Sequence, residues 1–409
     1  MSAIKLLKSA VISLAVGISA FPAYAEDVTE LKWVMWGGGG ADGDVWRHLA
    51  SLVSEEHPDL KVSVEFIPWG DYWTKLPILS ASGQIGDIVT MQNLRLPNFH
   101  QVMDPLTPYI ERDGFDTSVF TAAALNAMTL NDDVYALSFG LGPTVMFYNK
   151  DIFEAGGVDV PEFGWTWDDF VKTAQALKGD GIYGAGAISS FLGNSRATGV
   201  SYIGEDGGLD LSDPALTDMM ADLAMLAKDE VMPIVSAGVN VESFNRGLFD
   251  NGTAAMYVDG PWALLSKNNE EINFTYGLLP LPGPADGSGA QTPIGTSGFG
   301  VAAASDKKEA AWRAVQVLSG EKALLYLAAQ GRALPSRTAL RDIWYNLAAS
   351  EVENANAALN YTLDRAVSFD VTDNWNEVVG LFGQYQINAL TGESTPAEVL
   401  ETIQKLSAQ

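Results

Sequence analysis

The side chains suited to acid–base, metal or nucleophilic chemistry are few in this sequence and poorly spaced for it. Its three histidines, His48, His57 and His100, fall in the first quarter, and none is spaced as a zinc-binding pair. Cysteine is absent, which removes thiol catalysis and zinc–thiolate sites. The stretch GTSG at 295–298 lacks the glycine spacing of a nucleophile elbow. Gly37–Gly40 is not followed by the Gly-Lys-Ser/Thr that completes a phosphate loop. Two adjacent carboxylate pairs, Asp132-Asp133 and Asp168-Asp169, are of the type a glycosidase uses, but they read as a turn and a helix N-terminus. Nothing here specifies a reaction, a metal site or a cofactor.

Aromatic rings are the richer signal, with 11 Trp, 13 Tyr and 17 Phe. Trp36, Trp69, Trp73, Trp165, Trp262 and Trp375 fall at predicted strand ends or in loops rather than in mid-helix. Sugar rings present C–H faces that pack on indoles, while their hydroxyls need carboxylates, amides and backbone groups. A concave site holding both suits a carbohydrate. Core packing is the competing use, since indoles are highly buried on average. The run FDNGTAAMYVDGPW at 249–262 poses that choice sharply. Gly252 and Asp259-Gly260-Pro261 bound an apolar run, 253–258, that reads as a short buried strand with a helix leading into it. Trp262 then stands at the mouth of a turn.

Positioning these groups falls to alternating strands and helices. LKWVMW (31–36) reads as a strand broken by Gly37–Gly40, and a helix from about Val45 carries Trp46, Leu49, Leu52 and Val53 on one face until His57-Pro58. A half-buried strand at 61–67, a helix at 71–82 and a strand at 87–91 follow. Strands alternating with helices imply a parallel sheet, with ligands beyond the carboxyl ends of its strands. Those ends are the loops Trp36–Asp44, Pro68–Asp71 and Gln92–Asn93. VYALSFGLGPTVMFYNK (134–150) holds two strands separated by Gly140–Pro143 and reads as a crossing between lobes. Thr166, with Asp169 three residues on, caps a helix. Residues 214–229 are helical, 276–284 and 295–305 contain strands, and the tail is mostly helical.

A chain of 409 residues exceeds one ordinary core, so two lobes are expected. Net charge is −27, which argues against nucleic acid and anionic membrane surfaces as partners. Lys5 and Lys8, the apolar run AVISLAVGISA and AYA at 23–25 have the layout of a signal peptide cleaved after Ala25. No later segment reaches about 18 consecutive apolar residues. A soluble, exported chain whose stability rests on its core rather than on disulfides is expected, most simply a periplasmic one.

FDNGTAAMYVDGPW resembles the signature of family 1 extracellular solute-binding proteins, the maltose-binding-protein-like receptors of ABC transporters. Similar matches run in order along residues 30 to 400: YALSFGLGPTVMFYNKDIFEAGGVD (135–159), TWDDF (166–170), YGLLPLPGP (276–284), GTSGFGVAAASDKKEAAWRAVQVLSG (295–320) and GRALPSR (331–337). The resemblance implies an α/β fold of two interleaved lobes that close on ligand by a hinge. The lobes would be 26–141 plus 276–333 and 142–275 plus 334–409, crossing near Gly140, Tyr276 and Gly331. It also implies that Trp262 stacks on the ligand, and that Asp87, the hinge loop with Gly142, and Gly298 line the cleft. Arg332 and Trp375 match less defined positions.

With the strand-end loops added, the candidate ligand-binding set is Trp36, Asp42, Trp69, Asp87, Asn93, Gly142, Asp259, Trp262, Gly298, Arg332 and Trp375. The implied function is capture of a sugar and its delivery to an inner-membrane permease by a monomer that needs no cofactor. Two other solutes stay open: a polyamine, which the carboxylates of Asp42, Asp44, Asp71, Asp87 and Asp259 would suit, and glycerol phosphate, which would need convergent Arg and Lys. A secreted carbohydrate-active enzyme is the rival from another class. The Gly37–Gly40 run replaces bulkier side chains and leaves the ligand's size open.

Overall fold

Local sequence accounts for the first five elements. The computed structural model describes residues 28–408 except 265–266, 268–271 and 368, so the expected signal peptide lies outside the described residues. Thr29–Trp36 forms β1, whose second half is buried on both faces, while Leu60–Ile67 (β2) alternates exposed and half-buried positions between its buried ends, as an edge strand does. Gly40–Glu56 (α1) connects them and buries Val45, Trp46, Leu49, Leu52 and Val53 along one stripe. It begins five residues before the expected Val45, within the glycine run. Asp42 sits in its first turn, where the helix dipole favours a carboxylate. Trp69–Ala81 (α2) then buries Tyr72, Trp73 and Leu76 and leads to Ile88–Gln92 (β3).

β1 pairs in parallel with both β2 and β3, as the alternation requires. The remainder of this sheet adds antiparallel strands to that parallel start. Met103–Asp104 (β4) is a short edge piece, and Thr129–Leu130 (β5) and Asp133–Val134 (β6) form a separate hairpin. Its turn residues Asn131 and Asp132 both have positive φ, as a two-residue type I′ turn demands. Leu137–Pro143 (β7) runs unbroken through the glycines taken for a gap. It pairs antiparallel with Ile294–Ala302 (β11), which itself runs antiparallel to β3, while Leu334–Pro335 (β12) adds to the far side of β7. The order is β12-β7-β11-β3-β1-β2, with β4 attached to β11.

The second sheet is smaller. Val145–Asn149 (β8) lies between Met256–Asp259 (β9) and Tyr276–Leu279 (β10), all antiparallel. Its core takes Trp165, Phe170, Leu216, Leu223, Trp375, Phe382 and Ile403 from helices and loops around it, separate from the core of the first sheet. A third cluster, with Leu141, Val145, Phe147, Leu334, Trp344 and Leu359, packs the junction. The chain therefore passes between sheets at Thr144, between Leu279 and Ile294, and after Pro335. The crossing expected at Tyr276 is displaced, because Tyr276–Leu279 pairs residue for residue with Asn149–Met146. It belongs with the second sheet, and the crossing falls in the proline-rich segment that follows.

Candidate functional site

The carboxyl ends of β1, β2 and β3 and the crossing strands meet at one edge of the large sheet. There Gly142 pairs with Gly295, and two polar or aromatic side chains flank the pair. Asn93 accepts a hydrogen bond from the Thr296 amide through Oδ1 (2.8 Å) while its own amide donates to the Thr296 carbonyl. Trp262 lies on the other side, in a short turn of helix Pro261–Ala263. A Cβ at Gly142 would stand 3.0 Å from its ring, and one at Gly260 only 2.2 Å. The indole thus lies against backbone at both positions, which only glycine allows. Trp33, Trp46, Trp312 and Trp344 are sealed in cores, whereas Trp262 is half-buried.

On the first-lobe side, Gly37 has φ +139°, and a Cβ there would meet Asp42 Oδ2 at 2.7 Å, so this glycine lets the loop fold onto α1. Asp42 Oδ1 accepts from Arg332 Nε (2.6 Å) and Trp46 Nε1 (3.2 Å), and the Arg332 guanidinium lies 4.8 Å from the Trp46 ring. Two expected residues are therefore brought together, as partners of each other. Trp36, Trp69, Tyr72 and Trp73 form a mutual cluster with centroid distances of 4.9–5.5 Å. Trp69 is half-buried. Trp36 is enclosed, so it supports the cluster rather than offering a face.

Four expectations are corrected. Asp87 precedes β3, at the opposite end of the strand from the cleft, and its buried carboxylate accepts from the Lys32 amide and Ser305 Oγ (2.8 and 2.7 Å), a purely structural use. Gly298 lies opposite a bulge at Phe139 of β7, where a Cβ would meet the Leu137 carbonyl at 2.7 Å, so packing explains it. Trp375 is buried between Tyr202 and Phe369 in the second core. Asp259 is also buried, ion-paired to Arg246 (2.8 Å) and accepting from the Gly260 amide. Burial, opposed by Arg246, raises its pKa.

Other residues escaped sequence reading. Glu242 lies near the Asp259–Arg246 pair, and burial, then the Asp259 charge, push it up to about 7. Only the helical spacing of Glu242 and Arg246 hinted at this. Arg95 and Asn98 follow β3 and touch the second lobe. Arg95 Nη1 donates to Asn376 Oδ1, Asn98 Nδ2 donates to the Asp373 carbonyl, and Asn98 Oδ1 accepts from the Asn376 amide at 3.2 Å. Leu94 packs against the second core. Among the described residues no cluster of His, Asp and Glu could hold a metal ion. The acid pairs lie at a hairpin turn and a helix start: Thr166 and Asp169 form a capping box.

Comparison with known proteins agrees with this architecture. An arabinooligosaccharide-binding protein of Bacillus subtilis is 25% identical over 281 residues, 65% of this chain and 64% of that protein. A galactooligosaccharide-binding protein of the same organism is 27% identical over 286 residues, 67% and 65% of the two chains. The chain thus spans a little under two thirds of the length of these relatives. An ABC substrate-binding protein from Listeria monocytogenes, solved in complex with cycloalternan, superposes with a TM-score of 0.83 at 24% identity, covering 93% of this chain and 98% of that one. That likeness carries the fold, a maltose-binding-protein-like pair of lobes. Residues 40–324 match the bacterial extracellular solute-binding proteins, and the chain belongs to that family.

Proposed function

We propose that the exported chain captures a sugar in the cleft between its two lobes and delivers it to an inner-membrane ABC importer, without making or breaking a covalent bond. The observation that carries this reading is Trp262, half-buried and held against Gly142 and Gly260 beside the crossing strands. An indole fixed by backbone on one side is a preorganised platform for a sugar ring. Asn93, Trp69 and the Asp42–Arg332 pair supply the first-lobe side. The saccharide-binding relatives point the same way.

The alternatives lose support at named residues. Each carboxylate that would suit a polyamine has a basic partner: Asp42 with Arg332, Asp44 with Arg47, Asp71 with Lys75, Asp87 with Lys307 and Asp259 with Arg246. By the same pairings, Arg332 and Arg246 are not free to converge on a phosphate. In this reading the moving lobes are about 28–143 plus 294–335 and the remainder. The protein acts as a periplasmic monomer after cleavage at Ala25. Ligand that binds only the folded state adds RT ln(1 + [L]/Kd), about 2.7 kcal/mol at a hundredfold excess. A thermal-shift screen should therefore raise the melting temperature with at least one saccharide. A rise with spermidine or glycerol 3-phosphate alone would reject the reading, and reducing-sugar release from glycans would move the protein to the enzymes.

A further inference from the structure

Among the described residues two basic side chains are buried, Lys267 and Arg95. Lys267 has Asp250 as its counter-ion. Arg95 is 8% exposed, yet no described carboxylate lies within ion-pair distance of it. Its Nη1 is taken by Asn376, its guanidinium lies 5.3 Å from the centre of the Trp73 ring, and its Nε has no hydrogen-bond partner. Beside it, the Trp73 Nε1, on a side chain 5% exposed, is equally unpartnered. Burial pulls the arginine down to about 10, still fully charged at neutral pH.

A buried cation without a counter-ion and two orphaned donors are each costly, and such costs concentrate where a ligand completes the set. With Nη1 engaged, the free edge of the guanidinium is the Nε/Nη2 fork, which matches the two oxygens of one carboxylate. The place is right as well. Arg95 is two residues beyond Asn93 and spans the seam to the helix Trp375–Leu390 of the second lobe. We infer that Arg95 and Trp73 form a subsite for the carboxylate of an acidic saccharide, so that the cleft selects a uronic-acid-containing sugar over its neutral counterpart. This rests on the sugar-receptor reading above and narrows its substrate class. A single planar fork with one indole N–H suits a carboxylate better than a phosphate, which would draw on several cations.

The test is calorimetric titration of the mature protein with matched pairs, galactose against galacturonate and cellobiose against cellobiouronate, together with longer oligomers. The acidic member should bind at least about tenfold tighter, as expected for a charge-assisted fork. In Arg95→Gln that preference should vanish, and neutral-sugar affinity should fall no further than it does in Asn376→Ala, which removes the same contact between the lobes. The unliganded Arg95→Met protein should melt no lower than wild type, because a buried uncompensated charge is removed. Neutral members binding as tightly as acidic ones, or a preference that survives Arg95→Gln, would overturn the inference and leave sugar capture standing. A fall in the melting temperature of Arg95→Met beyond that of Asn376→Ala would assign the guanidinium charge a structural role and also overturn it. If no saccharide of either kind binds, this inference and the proposed function fail together.

Discussion

At the scale of single residues, Trp262 separates a platform from a core filler. Trp262→Ala should weaken ligand binding by tenfold or more. It should cost the unliganded fold only about 1–2 kcal/mol, because a half-buried side chain leaves no sealed cavity. Tyr257, 1% exposed in the preceding strand, is the control: Tyr257→Ala should cost about 3–5 kcal/mol of stability. Gly260→Ala tests the same platform from behind. Its new Cβ would stand 2.2 Å from the indole, so the ring must shift, and affinity should fall with little change in expression or helix content. Glu242 gives a pH signature. Its pKa is raised from 4.5 to about 7, so the folded state binds the proton more tightly than the unfolded chain does. Stability from that proton is complete below about 4.5 and is lost as pH rises through about 7. Glu242→Gln should therefore melt higher than wild type at pH 8, with the gap closing by pH 5, as followed by thermal denaturation across that range. The turn position of Trp262 was legible because Asp-Gly-Pro follows an apolar strand, whereas its assignment to the ligand came from the family resemblance. Arg95 was not legible, since its interest lies in the partners it lacks, and partners are set by tertiary structure.

At the scale of elements, sequence patterns performed best where the signal is local. The capping box at Thr166, the strand–helix–strand start and the helix Pro214–Lys228 all follow from spacing and cap chemistry. They performed worst where pairing decides. YGLL at 276–279 says nothing about which sheet it joins, and its register against β8 is what assigns it to the second lobe. Likewise Asp87 was placed by resemblance at the cleft, although a residue preceding a parallel strand lies at the wrong end of it. The short helix Leu96–Phe99, with Leu94 and Arg95 before it, is the element whose role was least visible. Its contacts with the start of helix Trp375–Leu390 join the lobes away from the crossing strands. Asn376→Ala removes one acceptor of that clasp. It should enlarge the unliganded radius of gyration measured by small-angle scattering and lower ligand affinity severalfold. The melting transition of the second lobe should stay within a few degrees of wild type. An unchanged radius together with unchanged affinity would show that the contact does not bias closure.

At the scale of the whole molecule, the two-lobed plan was legible because length, signal-peptide pattern and ordered family motifs agree. The exact crossings were not, since β7 continues through glycines that resemble a break and β10 precedes its apparent turn. In the proposed function both lobes act on one ligand, with Trp262 contributed from one side and Asn93 and Trp69 from the other. The most direct measurement is isothermal titration of the mature chain and Trp262→Ala, side by side, against a panel of neutral and acidic saccharides, spermidine and glycerol 3-phosphate. The account expects a saccharide to bind wild type at one site per chain and the variant at least tenfold more weakly. Binding of spermidine or glycerol 3-phosphate alone, or saccharide binding that is indifferent to loss of the indole, would contradict it.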